Sequence, residues 1–271
     1  MFTPEERARF KDRVLALARG DARITGGAVT GSASIGTEDR WSDIDLSFGV
    51  ADGVEPADVL TEWTELLARE LDVLHHWDVR SGPTIYRVFL LPGGLELDVA
   101  VTPRLEFRAR GPKFRLLFGE SLERATTPSP PVDDLIGLGW LSALDARKAI
   151  DRGKPWAAEY WIGSVRDQAL ALACLRLGEP PAYARGIDRL PRELTAPFQD
   201  ALVRSLDPEE LRRALGVAAR LFLAEVSEAS PELAEGCGRH SMKRQRDRVS
   251  GAEYLPDMAV RLRSQIGRAH V

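Results

Sequence analysis

The segment Ser42-Asp43-Ile44-Asp45-Leu46 constrains this chain more than any other, because acidic and apolar residues alternate there with the period of an extended strand. In a strand, alternate side chains share a face, so Asp43 and Asp45 point one way while Ile44 and Leu46 enter a core. Two like charges held that close call for a cation. Such a pair suits Mg²⁺, a hard ion that takes oxygen ligands and binds through one or two carboxylates plus the phosphates of a substrate.

Residues 24–36 read as a short β-strand that breaks at Gly31-Ser32. Glycine lets backbone approach a ligand closely, and backbone N–H groups at a helix start or nest attract phosphate oxygens. Ser32 adds a hydroxyl. A Gly-Ser dipeptide alone is ordinary turn punctuation; the Asp-x-Asp that follows it gives the turn a chemical partner.

A third carboxylate is expected if two ions are to be held on a transferring phosphoryl group. Residues 84–91 and 94–101 read as two strands joined at Pro92-Gly93. In the second, Leu95, Leu97, Val99 and Val101 form one face, and Glu96, Asp98 and Ala100 the other. An acidic pair there is either a solvated sheet face or part of a metal site, and Asp43 and Asp45 nearby favour the second role for Asp98.

With these residues in place, the chain resembles the DNA polymerase beta superfamily of nucleotidyltransferases, and within it the bacterial enzymes that adenylylate aminoglycoside and lincosamide antibiotics. The resemblance rests on Gly31-Ser32, Asp43, Asp45 and Asp98 in that order, and covers about residues 24–101. It implies that Asp43, Asp45 and Asp98 ligate Mg²⁺ and that Gly31 and Ser32, with Arg40 and Ser42 beyond them, hold a nucleoside triphosphate. It further implies a nucleotidyl transfer, AMP from ATP, to a hydroxyl of a small molecule with release of pyrophosphate. Asp98 is one candidate for the base. The antibiotic-modifying enzymes pair their catalytic domain with a helical substrate-binding domain, and some draw the base from outside the aspartate triad.

The expected fold class is α+β: an N-terminal mixed β-sheet domain with flanking helices, followed by an α-helical bundle. A chain of 271 residues suits two domains. The expected boundaries are 1–125 for the catalytic domain and 126–264 for the helical one. Residues 265–271 look like translated sequencing adapter and are set aside as a foreign tail. Thr3-Pro4-Glu5-Glu6 is a helix start, with Thr3 as cap, proline in the first turn and acids near the positive end of the dipole. That helix is expected to run to about Gly20, and a second from Pro56 to about Leu71. Strands are expected near 24–30, 44–50, 73–80, 84–91 and 94–101. Beyond the proline-rich stretch at 126–131, helices are expected at about 132–152, 155–177, 191–205 and 208–228.

The helix from Pro155 to Leu177 is apolar enough around its circumference to be the buried centre of a bundle. Glu159 and Arg166 lie two turns apart on nearly one face. They are either a buried ion pair stitching the bundle or, for Glu159, a substrate contact and alternative base. His75 and His76 point to opposite faces of a strand and make no paired ligand site. Arg108, Arg110 and Lys113 are either solvated charge or triphosphate contacts. Residues 243–248 are a short basic run that reads as a solvated face.

The formal charge of -4 gives no global attraction to nucleic acid, which makes nucleic acid an unlikely partner. Cys174 and Cys237 are too few and too far apart for a zinc motif or a disulfide framework. The N-terminus lacks the apolar core of a signal peptide, and no run approaches a membrane span, so a cytoplasmic enzyme with no membrane partner is expected. Two other functions compete: a nucleotidyltransferase acting on protein or RNA, of the toxin–antitoxin kind, and an inactive nucleotide-binding regulator.

Overall fold

A computed structural model describes residues 2–125 and 128–230 of the chain. The chain divides into two compact units between Thr127 and Pro128. The fold is α+β. The first unit is built on a six-stranded mixed sheet in the order β3-β4-β5-β2-β1-β6, and the second is helical.

The N-terminal helix α1 (Pro4–Gly20) starts as its sequence dictates. Thr3 Oγ1 accepts the Glu6 N–H and the Glu6 carboxylate accepts the Thr3 N–H, a reciprocal capping box. β1 (Ile24–Thr30) leads through a tight 3₁₀ turn (Ser32–Ser34) and a loop to β2 (Ile44–Val50). Then come α2 (Pro56–Glu70), β3 (His75–Ser81), β4 (Thr84–Leu91) and β5 (Leu95–Pro103). The β4–β5 hairpin closes through a turn at Pro92–Gly94. β2 and β5 run parallel, while the other pairs are antiparallel.

A sixth strand, β6 (Phe114–Gly119), pairs with β1 at the far edge. It lies beyond the five strands expected from the sequence. It fits there because β1 carries Gly27, where a Cβ would overlap the Phe118 ring.

One face of the sheet is packed by α1 and α2. Ile44, Leu46 and Phe48 of β2, Leu97, Val99 and Val101 of β5, and Val14, Val59, Leu60, Trp63 and Leu67 of the helices form a single core. On this side Arg87 of β4 is the chief polar tie. Its guanidinium pairs in bidentate fashion with Asp78 of β3 (2.6 and 2.8 Å) and donates to the Leu60 carbonyl and Thr64 Oγ1 of α2, each at 2.8 Å.

In the second unit α3 (Val132–Asp151), α4 (Pro155–Arg176) and α6 (Pro208–Ala229) pack around a common core. Residues Ala169 to Cys174 of α4 are all buried. The first turns of α4 are not, and Trp156 and Tyr160 face solvent. The helix expected at 191–205 is only a single turn, α5 (Arg192–Thr195), followed by 3₁₀ turns at Ala196–Ala201. Pro197 removes a donor the α-helical ladder needs. Arg166 pairs with Asp167, its neighbour in the sequence, at 3.3 Å. Arg176 of α4 instead pairs with Glu225 of α6, at 2.9–3.1 Å and largely buried. Cys174 is buried in the same core; Cys237, the run at 243–248 and residues 265–271 lie outside the described residues.

Arg87→Met keeps the apolar stem and removes the fork, leaving Asp78 without its partner. Unfolding of the first unit in urea should become easier by about 2–4 kcal/mol, the cost of stranding largely buried polar groups. A change below about 0.5 kcal/mol would mean that solvent already screens the pair.

Candidate functional site

β2 and β5 lie side by side in parallel, and their register makes Asp45 and Asp98 direct neighbours on one face of the sheet. This is the face turned away from α1 and α2, since Leu46 and Val99, one residue further along, enter the core beneath. Both carboxylates are half-buried. Asp98 Oδ1 is buried with no hydrogen-bond partner. Burial pushes the Asp98 carboxyl up to about 7, helped by the charges of Glu96, Asp45 and Asp43 and by a hydrogen bond with Glu96. Asp43 sits just ahead of β2, and its charge reaches the same group.

Gly31 ends β1 with φ +61, a left-handed conformation that L side chains rarely adopt. A Cβ there would overlap Asp45 Oδ2, so the turn lies against that carboxylate with no room for a side chain. The following 3₁₀ turn is self-stitched. Ser34 Oγ donates to the Gly31 carbonyl at 2.8 Å, and the Ser32 carbonyl accepts the Ile35 and Thr37 N–H groups. Arg115 of β6 donates to the Ala33 carbonyl at 3.3 Å and fastens the turn to the edge strand from the core-facing row of the sheet.

The loop into β2 is held by its own side chains. Asp39 Oδ1 accepts the Trp41 N–H (2.8 Å) and the Ser42 hydroxyl (3.1 Å), and Ser42 Oγ accepts the Asp39 N–H (2.8 Å). These contacts hold the Asp39 carboxyl below its ordinary value. The Ser42 hydroxyl is therefore engaged in building the turn. Arg40 lies over the Trp41 ring, 4.1 Å from its centroid. Arg7 reaches from α1 and donates to the carbonyls of Asp39 and Ser42, which moors the whole loop. Neither Arg7 nor Arg115 was legible as a site residue. No motif singles either of them out, and only tertiary pairing gives each its task.

Of the other candidates, Arg108 donates to the Leu105 carbonyl at 2.6 Å and Arg110 to Glu106 at 3.4 Å, while Lys113 is exposed. His75 and His76 are exposed on the edge strand. Glu159 is half-buried on α4, and Arg166 pairs with its neighbour Asp167 at 3.3 Å.

Among the described residues, no three His, Cys, Asp or Glu side chains close on one another as a ready-made metal cage. Oxygen-only donors offered as a pair, with an orphaned buried oxygen between strands, nevertheless fit a Mg²⁺ ion, which relies on one or two carboxylates plus substrate phosphates instead of an all-protein cage. No helix among the described residues is long and apolar enough to cross a membrane.

No protein-family profile matches the chain, and no curated protein matches it. Among solved structures it is similar to an aminoglycoside 6-adenyltransferase from Bacillus subtilis, at 14% identity and a TM-score of 0.39 over 95% of this chain and 99% of that one. It is also similar to a nucleotidyltransferase-like protein from Exiguobacterium sibiricum, at 12% identity and a TM-score of 0.38 over 96% and 91%.

The electrostatics at Asp98 predict a pH dependence of stability. A carboxyl whose folded value is raised to about 7, against about 3.9 unfolded, favours folding below pH ~4 and loses that contribution as pH climbs to about 7. In divalent-free buffer Asp98→Asn should therefore melt higher than the wild type at pH 8 and like it at pH 4. Parallel melting curves across that window would mean that the Asp98 site is well solvated.

Proposed function

We propose that this chain is a Mg²⁺-dependent nucleotidyltransferase that moves a nucleoside monophosphate, AMP from ATP, onto a hydroxyl of a small molecule and releases pyrophosphate. The single observation that carries the reading is the parallel register that sets Asp45 beside Asp98, with the Gly31 turn pressed against Asp45. An aminoglycoside or lincosamide antibiotic is the acceptor class we favour, which would make antibiotic resistance the biological role and the cytoplasm its compartment. The first unit would be catalytic, and the second would contribute to substrate binding.

In this reading Asp43, Asp45 and Asp98 hold the metal. When bound, Mg²⁺ would polarise the reacting phosphoryl group, lower the pKa of the acceptor hydroxyl and neutralise charge on pyrophosphate. Gly31 and Ser32 meet the triphosphate with backbone N–H groups and a hydroxyl, in a turn that only glycine can enter. Arg40 and Ser42 are assigned to the same nucleotide, Ser42 by fixing the loop and Arg40 by charge. Either Asp98 or Glu159 accepts the proton of the attacking hydroxyl, whose oxygen forms the new P–O bond as the bond to pyrophosphate breaks.

The test is incubation with each labelled nucleoside triphosphate, Mg²⁺ and a panel of aminoglycosides and lincosamides, with products read by mass spectrometry. Asp45→Asn should fold and lose transfer by roughly a hundredfold or more, since several kcal/mol of charge stabilisation depend on that carboxylate. Near-normal turnover in that variant would remove the reading. Gly31→Ala should likewise suppress transfer, because its Cβ displaces the Asp45 carboxylate.

A second substitution separates the two bases. If Glu159 takes the proton, Glu159→Gln should cut turnover strongly while nucleotide and Mg²⁺ affinity stay near wild type. Unchanged turnover per folded molecule would leave Asp98 as the base.

A further inference from the structure

The face that carries Asp45 and Asp98 continues beyond them to the edge of the sheet. Asp98 is the direct cross-strand partner of Val88 on β4, and Val88 of Trp77 on β3. Asp45, Asp98, Val88 and Trp77 thus form one row on one face, because directly opposed residues share a side of the sheet. The neighbouring rows add Glu96, Leu90 and His75 on one flank, and Ala100, Tyr86 and Val79 on the other. This part of the face is apolar and open: Trp77 is 65% exposed, Leu90 45% and Val79 38%. At a strand spacing of about 4.8 Å, Trp77 stands roughly 10 Å from Asp98, the breadth of one or two sugar rings.

The two sides of the carboxylate pair differ. On the β1 side lies the Gly31 turn, which suits phosphate. On the β4–β3 side lie an exposed indole, the aliphatic side chains of Val88, Leu90 and Val79 and the exposed carboxylate of Glu96, with no arginine or lysine in those rows. An indole face with a carboxylate beside it suits a cyclic molecule bearing a cationic amine, through stacking and cation–π attraction on the ring and charge pairing at Glu96.

Resting on the transferase reading above, we infer that Trp77, Val88 and Leu90 form the platform on which an amine-bearing cyclic acceptor lies. Glu96 receives its ammonium group. The platform presents the acceptor to Asp98 from the side opposite the triphosphate. Trp77 is a positioning residue, since it stands away from the reacting atoms.

The test uses the full chain labelled with 5-fluorotryptophan, where the ¹⁹F line missing from Trp77→Ala belongs to Trp77. Kanamycin, a polyamine-bearing ring compound, should shift that line saturably; the neutral sugar trehalose and MgATP alone should not. A line unmoved by kanamycin overturns the platform, and a line moved by MgATP alone would assign the indole to the nucleotide and overturn it as well. In transfer assays with kanamycin, Trp77→Ala should raise KM for the acceptor about tenfold with KM for ATP unchanged, and Trp77→Phe should recover most of the loss. Glu96→Gln should weaken kanamycin binding and leave the trehalose result unchanged. The ¹⁹F shift does not need turnover, so a protein that binds kanamycin on Trp77 and transfers nothing would sink the transferase reading and keep the platform. Transfer with an unaltered acceptor KM in Trp77→Ala would do the reverse.

Discussion

Everything at the site depends on placing two carboxylates next to each other across a parallel ladder. Like charges directly opposed on a sheet oppose folding, and here they do so half out of water, with the orphaned Asp98 Oδ1 and its raised carboxyl as the visible consequence. The opposite face supplies the compensation. Leu46 and Val99 alternate with the acids and are fully sequestered, so slipping the register by one residue to separate the carboxylates would turn a core row outward. Parallel pairing also demands a crossover, provided here by α2 and the β3–β4 hairpin, and α2 is tied back to that hairpin by Arg87.

The Gly31 turn and the loop to Ser42 solve a different problem, which is holding irregular backbone against a charged pair. Gly31 gives the space, and the Asp39–Ser42 contacts give the shape. Arg7 then couples the loop to α1, so the N-terminal helix bears on the site without lying in it. A loop of this length held by side chain to backbone bonds keeps its conformation without secondary structure of its own.

What could be read in the chain was local and periodic. The strand alternation at 44–46 and 95–101 placed Asp45 and Asp98 on the face away from the core, and capping chemistry marked α1 at its first residue. What could not be read was pairing over distance. β6 escaped notice because its neighbour at Gly27 is far away in sequence, and its acceptance depends on the absence of a side chain there. Helical spacing within α4 offers Glu159 and Arg166 as a pair, whereas Arg176 joins Glu225 on another helix, which no periodicity within α4 could indicate. Trp77, on a strand whose sequence marks no site, gains meaning only through the register of β3 and β4 with β5.

That last point bears on why an exposed tryptophan sits on an edge strand at all. Edge strands with open apolar side chains invite pairing with other chains, and proteins blunt them with charge. β3 does so on its other side, where Asp78 and Arg80 alternate with Trp77 and Val79. Asp78 is also the partner that holds Arg87. The strand therefore carries two loads on its two faces: the salt-bridged face anchors α2 to the sheet, and the apolar face extends the row that begins at Asp45. Because side chains alternate strictly, neither face can be altered by shifting the strand without losing the other, and the position of Trp77 relative to Asp98 is set by the same Arg87–Asp78 pair that holds the core together.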